Sequence, residues 1–270
     1  MIVGLRIQNN VEAFNAHRNL SWTEGSLARS MERLSSGYRI NRAADDAAGL
    51  AISERLRGQI NGLEQSQRNV QDAVSMVQTA EGSLTEVHAM LQRVRELAVQ
   101  YKNGSLSTSD RLAIQSEVNM LASEVERIGS TAQFNGIQLL NVQQTISFQV
   151  GAQDGEIITV STISLGSSVP AAVYALTATG SGDISEIDVA IDAISAQRAQ
   201  FGAVQNRLDH TLKNLAVYQE NLQASESRIR DVDMADEMVN LTKQQILAQA
   251  GTSMLAQANQ SSQNVLSLLR

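Results

Sequence analysis

The sequence contains 270 residues with a formal net charge of −7, which argues against nucleic acid and against an anionic membrane surface as partners. The absence of cysteine excludes disulfides and thiolate metal sites. A single proline and an aromatic content of 3% favour helices over a fold with a large aromatic core.

The first predicted helix has a heptad pattern and ends at Gly37. Its apolar stripe consists of Ala13, Ala16, Leu20, Leu27, Met31 and Leu34. Trp22 is interpreted as a packing residue of this helix. Because the stripe holds few large side chains, the helix should be marginal in water until it finds a partner. The residues before it lack the continuous apolar core of a signal peptide.

The connection that follows, residues 35–50, carries Arg39, Arg42, Asp45 and Asp46. These charges are interpreted as solvated ion pairs between two helical segments, since no nucleophile or histidine accompanies them. Asn41 or Asp45 is expected to cap the next helix.

The second predicted helix runs from Asp45 to Tyr101 and would be about 85 Å long at roughly 1.5 Å per residue. Its stripe consists of Ile52, Leu56, Ile60, Leu63, Val70, Val74, Val77, Ala80, Leu84, Val87, Leu91, Val94, Ala98 and Tyr101. Such a helix cannot bury its stripe against a compact globule. We therefore expect long partner helices, from this chain or from neighbouring copies.

A third helix, capped by Ser107 or Ser109 and ended by Gly129, is predicted to return antiparallel to the second. The apolar period then changes to two, which predicts a β-hairpin near residues 145–163. The segment 164–182 is rich in Ser, Thr, Gly and Ala and is expected to be a short exposed loop.

Two more helices complete the chain. The fourth begins near Asp183 or Ser185 and matches the second in scale, so the two should pair. The fifth carries a stripe of Met234, Met238, Leu241, Leu247, Ala250, Met254, Ala258, Val265 and Leu268. The predicted fold is mainly α: an elongated antiparallel helical bundle with a β-hairpin, plus paired N- and C-terminal coiled-coil helices. The predicted domains are 1–44 with 231–270, and 45–230.

No catalytic constellation emerges from the sequence. His17, His88 and His210 each stand alone on a helix, without the partner spacing of a zinc site. No glycine-rich phosphate loop is present. We expect neither enzyme activity, nor a cofactor, nor a bound metal.

Several ordered strings closely resemble the signatures of bacterial flagellins. They are LSSGYRINRAADDAAGLAI at 34–52, QTAEG at 78–82, QRVRELA at 92–98, FGAVQNRL at 201–208, AQANQ at 256–260 and NVLSLLR at 264–270. The resemblance covers almost the whole chain. The sequence departs from the family in extra residues before Leu5 and in lacking the outer variable domains, whose place is taken by residues 164–182.

The resemblance implies a structural subunit that polymerises into the extracellular flagellar filament and leaves the cell through the flagellar type III export apparatus. In the family the paired terminal helices form the inner tube and the longer helices the wall. The residues expected to form the terminal assembly seam are Leu20, Leu27, Met31, Leu34, Leu247, Met254, Val265 and Leu268. The implied partners are further copies, an export chaperone, and cap and hook-junction proteins.

The resemblance also implies recognition by Toll-like receptor 5 of animal hosts through Gln92, Arg93, Leu97 and Glu117. Arg93 and Leu97 are four residues apart and so share one helix face, and the antiparallel return brings Glu117 near them. Two other classes stay open at this point. One is a hook-filament junction protein, and the other is a subunit of a secretion needle or translocator.

Overall fold

The computed structural model describes residues 9–177 and 183–268, with side chains up to Ser261. Six α-helices and two small antiparallel sheets make up this part of the chain, so the mainly α prediction is confirmed. The elements are α1 (Val11–Ser36), α2 (Ala47–Tyr101), α3 (Thr108–Thr131), β1 (Gln133–Phe134), β2 (Ile137–Gln138), β3 (Thr145–Gln149), β4 (Ile157–Ser161), α4 (Leu165–Ser168), a 3₁₀ turn (Ala171–Tyr174), α5 (Asp183–Arg230) and α6 (Met234–Leu268).

The chain forms two compact units. We call Met1–Gly58 with Leu222–Arg270 the terminal unit, and Gln59–Asn221 the central unit. In the terminal unit α1 packs along α6, with the chains antiparallel, as the sequence predicts.

The segments that flank these two helices are also paired within the terminal unit. Gly37 ends α1 with a positive φ of 76°, and its carbonyl accepts a hydrogen bond from the Val232 N–H at 3.0 Å. The Arg39 N–H donates to the Arg230 carbonyl at 2.7 Å. Asp46 caps α2 by accepting a hydrogen bond from the Gly49 N–H. The prediction that Asn41 or Asp45 caps this helix was therefore wrong.

Asp45 instead stabilises the loop before α2. Its carboxylate accepts the backbone N–H groups of Arg42 and Asn41. The hydrogen bond from Arg42 is the main reason that the pKa of Asp45 lies below its ordinary value. The charges of this connection therefore organise a turn, which agrees with a structural interpretation.

The core of the central unit follows the stripe predicted for α2. Leu84, Val87, Leu91 and Val94 are fully buried there, and the polar Ser66 within the stripe donates to the Gly62 carbonyl. From α5, the large buried apolar residues recur every seven positions: Ile187, Ile194, Phe201, Leu208 and Leu215. Ser107 caps α3 in a capping box with Asp110. The helix continues past Gly129 to Thr131, contrary to the prediction, because Gly129 keeps a helical backbone there and packs against Leu165.

The predicted β-hairpin is present as β3 and β4, with Phe148 opposite Ile158. It is tied to the helices by hydrogen bonds from Asn69 to Gln149 and from Gln197 to Ser161. A second hairpin, β1 and β2, was not predicted. Its turn is Asn135-Gly136 with positive φ at both residues, and this dipeptide is the signal that could have revealed it.

The segment 164–182 is less exposed than its composition indicates. Its described part forms α4 and the 3₁₀ turn, both of which contact α3. Leu165, Val169, Val173 and Leu176 are buried, because four apolar side chains among small residues suffice to anchor the segment. Residues 178–182 lie outside the described part.

Candidate assembly surface and recognition motif

The seam between α1 and α6 is formed by small and polar side chains as much as by apolar ones. The less exposed positions recur in steps of three and four on both helices. On α1 they are Ala13, Ala16, Leu20, Thr23, Leu27, Ser30 and Leu34, and on α6 they are Glu237, Leu241, Gln244, Ala248, Gly251, Leu255 and Ala258.

Specific contacts set the register of this pair. The Asn10 side chain donates to the Ala258 carbonyl at 2.9 Å, and Arg33 forms an ion pair with the buried Glu237 at 3.7 Å. Between these contacts the two helices come close to each other at Gly251. A Cβ on this residue would lie 3.2 Å from Cδ1 of Leu20. The seam therefore has a defined register, and small and polar side chains occupy much of it.

The faces of α6 that point away from α1 carry many apolar side chains among polar ones. Six exposed large apolar side chains lie there: Met234, Met238, Val239, Ile246, Leu247 and Met254. Large apolar side chains grouped on an exposed helix surface mark an interaction site. The stripe predicted for this helix included Met238, Leu247 and Met254, whereas the structure places Ala248, Gly251 and Leu255 against α1.

The outer face of α1 is also apolar in part. Phe14 is 70% exposed and Trp22 is 75% exposed, so Trp22 does not pack within one copy, and its interpretation as a packing residue stays a prediction about contacts between copies. Met31 is exposed as well, because the neighbouring Ser30 occupies the seam position.

The residues expected in the terminal assembly seam are therefore divided among different surfaces. Leu20, Leu27 and Leu34 lie between α1 and α6. Met31, Leu247 and Met254 are exposed on the outer surface of the pair. The side chains of Val265 and Leu268 lie outside the described residues.

The recognition motif expected on α2 and α3 is partly assembled in the structure. The Arg93 guanidinium donates to one carboxylate oxygen of Glu117, from Nε at 3.0 Å and from Nη2 at 2.9 Å, and also to Glu96 at 3.1 Å. Gln92 lies beside them, with its Nε2 at 3.0 Å from Nε2 of His88. The hydrogen bond to Glu117 is the main reason that the pKa of Arg93 is raised. This group is solvent-accessible, since Arg93 has 51% of its side chain exposed.

Leu97 differs from the other three residues of the motif. It is only 2% exposed and belongs to the core of the central unit. Leu97 can position α2 beneath the motif, but it offers no surface to a partner. On the same helix Arg95 forms a comparable exposed ion pair with Asp188 at 2.6 Å. The arginine of the motif is thus not unusual in pairing with a carboxylate.

Within the described residues, no helix is long and apolar enough to cross a membrane, and no group of three or more His, Cys, Asp or Glu side chains is placed to hold a metal ion. The surfaces that stand out there are apolar helix faces and exposed ion pairs. Such features suit protein contacts.

Comparison with known proteins identifies the family. Residues 7–145 match the model of the bacterial flagellin N-terminal helical region, and residues 184–269 match the bacterial flagellin C-terminal helical region. The chain is 51% identical to a flagellin of Halalkalibacterium halodurans, over 98% of this chain and 99% of that protein. It is 45% identical to the flagellin of Bacillus subtilis, over 98% of this chain and all of that protein.

Among solved structures, a flagellin of Bacillus cereus aligns with a TM-score of 0.51 and 32% identity, over 55% of this chain and 88% of that one. Together with the exposed apolar helices, these matches exclude the alternatives left open by the sequence. The chain belongs to the bacterial flagellins, and it is a structural, non-enzymatic subunit of the flagellar filament that serves motility.

Proposed function

We propose that copies of this flagellin contact one another in the filament through the apolar faces of α1 and α6 that point outward from the helix pair. In this proposal residues 1–44 and 231–270 form the inner tube and residues 45–230 form the wall. The observation that carries it is the apolar surface of α6, of which α1 covers one side only. Burial of this surface by further copies provides the driving force for polymerisation.

A charge placed on the outer face of α6 tests the proposal. Ile246 is 62% exposed and does not face α1, so Ile246→Lys should leave the helix pair intact. It should block polymerisation, because burying an unpaired ammonium group is costly. Gln245→Lys adds the same charge at the neighbouring exposed polar position and serves as the control. Seeded growth of Ile246→Lys chains at the normal rate, measured by sedimentation and electron microscopy, would refute the proposal.

Before assembly the apolar side chains on the outer face of α6 are exposed to solvent. We propose that the export chaperone binds the segment Met234–Arg270, because exposed apolar helices are an aggregation hazard in the cytoplasm and fit a hydrophobic groove of a partner. A pull-down with Met238→Asp or Ile246→Lys should lose the chaperone, whereas Gln245→Lys should retain it. Equal retention of all three would place the chaperone site elsewhere.

At the ends of the filament a subunit meets a different neighbour. We propose that the cap and hook-junction proteins bind the same outer faces of α1 and α6 that further copies cover in the middle. Ile246→Lys should then fail to bind purified junction protein in a sedimentation assay. Normal binding would separate the two surfaces.

We also propose that monomeric chains are recognised by Toll-like receptor 5 through Gln92, Arg93 and Glu117, with Leu97 acting only as support from the core. The exposed pair formed by Arg93 and Glu117 supports this assignment, since paired arginines are frequent anchors at interfaces. Arg93→Ala and Glu117→Ala should each weaken binding to the receptor ectodomain. Arg95→Ala, which removes a similarly exposed ion pair on the same helix, is the matched control. Equal affinity of all variants would remove the assignment.

A further inference from the structure

A groove runs along one side of the helix pair of the terminal unit, with a volume of about 700 Å³. The less exposed residues at its base are Ala16, Leu20 and Gly251. On the α1 side the groove is lined by Asn15 and Asn19. On the α6 side it is lined by Leu247, Ala250, Met254 and Gln257. Small residues at the base leave the groove open, and amides at its edges offer hydrogen-bond acceptors.

The exposed aromatic residues of α1 belong to a different face of the same unit. Phe14 and Trp22 flank Arg18 there, and neither aromatic side chain lines the groove of its own copy. Arg18 donates a hydrogen bond to Asn15, and it lies four residues from both Phe14 and Trp22, so the three share one face of the helix. We call Phe14, Arg18 and Trp22 the aromatic face.

We propose that the aromatic face of one copy docks into this groove of a second copy, with the Trp22 indole inserted between α1 and α6. The inference rests on the proposed function above and names the pair of surfaces that meet. A flat indole suits a narrow apolar groove, and its Nε1–H can donate to an amide oxygen of Asn15 or Asn19. Tryptophan seated in a pocket is a characteristic anchor of protein interfaces.

The charges of the two surfaces are complementary. Glu12 lines the groove and forms no ion pair with any described residue of its own copy. Arg18 on the incoming aromatic face supplies the opposite charge. Charge complementarity of this kind fixes the orientation of docking and disfavours other partners.

The arrangement also has the symmetry that a filament needs. Because the aromatic face and the groove are different surfaces, each copy can donate its indole to one neighbour and accept an indole from another. Such a heterologous contact builds an open helical polymer, whereas two aromatic faces packed on each other would form an isologous contact and close at a dimer. The groove therefore provides the repeating contact that the filament family requires.

The single tryptophan makes the proposal directly measurable, because Trp22 is the only indole in the chain. During seeded polymerisation its emission should shift to the blue and its quenching by iodide should be lost. Ala250→Phe, which fills the groove, should slow elongation by about tenfold or more, as expected for losing an anchor contact. Gln245→Phe adds the same ring outside the groove and should elongate normally. An indole that stays open to iodide in the filament, or normal elongation of Ala250→Phe, would overturn the inference.

Cross-linking identifies the partner surface, since the natural chain contains no cysteine. Filaments grown from a mixture of Ser21→Cys and Ala250→Cys chains, both of which keep the indole, should yield dimers with a short bismaleimide, since Ser21 is exposed beside Trp22. Filaments of either variant alone should not, and dimers from Ser21→Cys alone would favour the isologous contact and refute the proposal. Failure here is distinguishable from failure of the proposed function: Ile246→Lys would still block assembly in the first case and would polymerise in the second.

Discussion

Truncation of Leu97 separates the roles of the residues in the recognition motif. The side chain is 2% exposed, so Leu97→Ala removes three fully buried carbon atoms. At about 0.8 kcal/mol for each carbon, the transfer term is about 2.4 kcal/mol. The cavity left behind raises the expected loss in the free energy of unfolding to about 2.5–5 kcal/mol.

The measurement is urea unfolding of the monomer followed by circular dichroism. The control is Val99→Ala, two residues along the same helix, where the side chain is 53% exposed and the expected change is within about 0.5 kcal/mol. If Leu97→Ala cost less than about 1 kcal/mol, Leu97 would not be a core residue and the division of the motif would be wrong. If the cost is as expected, weaker receptor binding by Leu97→Ala reports unfolding and not a lost contact.

Three further predictions concern the helix pair and the third helix. Gly251→Leu should separate α1 from α6, because even a Cβ at this position would lie 3.2 Å from Leu20. Gly25→Leu should be tolerated, because a Cβ there would have no neighbour within 4 Å, and helical circular dichroism should therefore be lost in the first variant alone. Ser107→Ala should cost about 1 kcal/mol through loss of the α3 cap. The Ser107 hydroxyl lowers the pKa of Asp110 below 3.8. The contribution of Asp110 to the free energy of unfolding is therefore present above that pH and is lost as the pH falls through the folded pKa. Acid unfolding curves of Ser107→Ala should lack this pH-dependent loss of stability. In hydrogen exchange on the monomer, amides of α1 and α6 should exchange faster than those of α2 between Val70 and Val94, and equal protection would contradict the weak seam.

The sequence predicts the elements well where burial is one-sided. The stripe of α2 could be predicted because its buried residues alternate with charged and polar ones at helical spacing, as at Leu84, Val87 and Leu91. The last helix behaves differently. Apolar residues occur on more than one face of α6, so periodicity cannot decide between Leu247 and Ala248 for the face that meets α1. The same ambiguity affects Ser30 and Met31, because the smaller residue, Ser30, is the one that lies between α1 and α6.

The positions of the residues expected in the recognition motif could be predicted in part, for a related reason, while their role in recognition stays a prediction. Helical spacing places Arg93 and Leu97 on one face, and the antiparallel return brings Glu117 to Arg93 as expected. Spacing cannot tell which of two residues on a shared face lies at its buried edge. The position of Leu97 depends on the helices that pack against α2, and these are set by contacts distant in sequence.

The distribution of residues in the terminal unit links its fold to assembly. Thr23, Ser30 and Gln244 occupy the seam within one copy, while Trp22 and Ile246 face outward. An ordinary coiled coil fills its seam with large apolar side chains, whereas here five leucines (Leu20, Leu27, Leu34, Leu241 and Leu255) share the seam with these polar residues. The outward-facing apolar side chains can be buried only between copies, so neighbours that bind the paired helices stabilise the pair by mass action. Folding of the terminal unit and growth of the filament are therefore coupled, and each newly ordered pair presents the next outer surface.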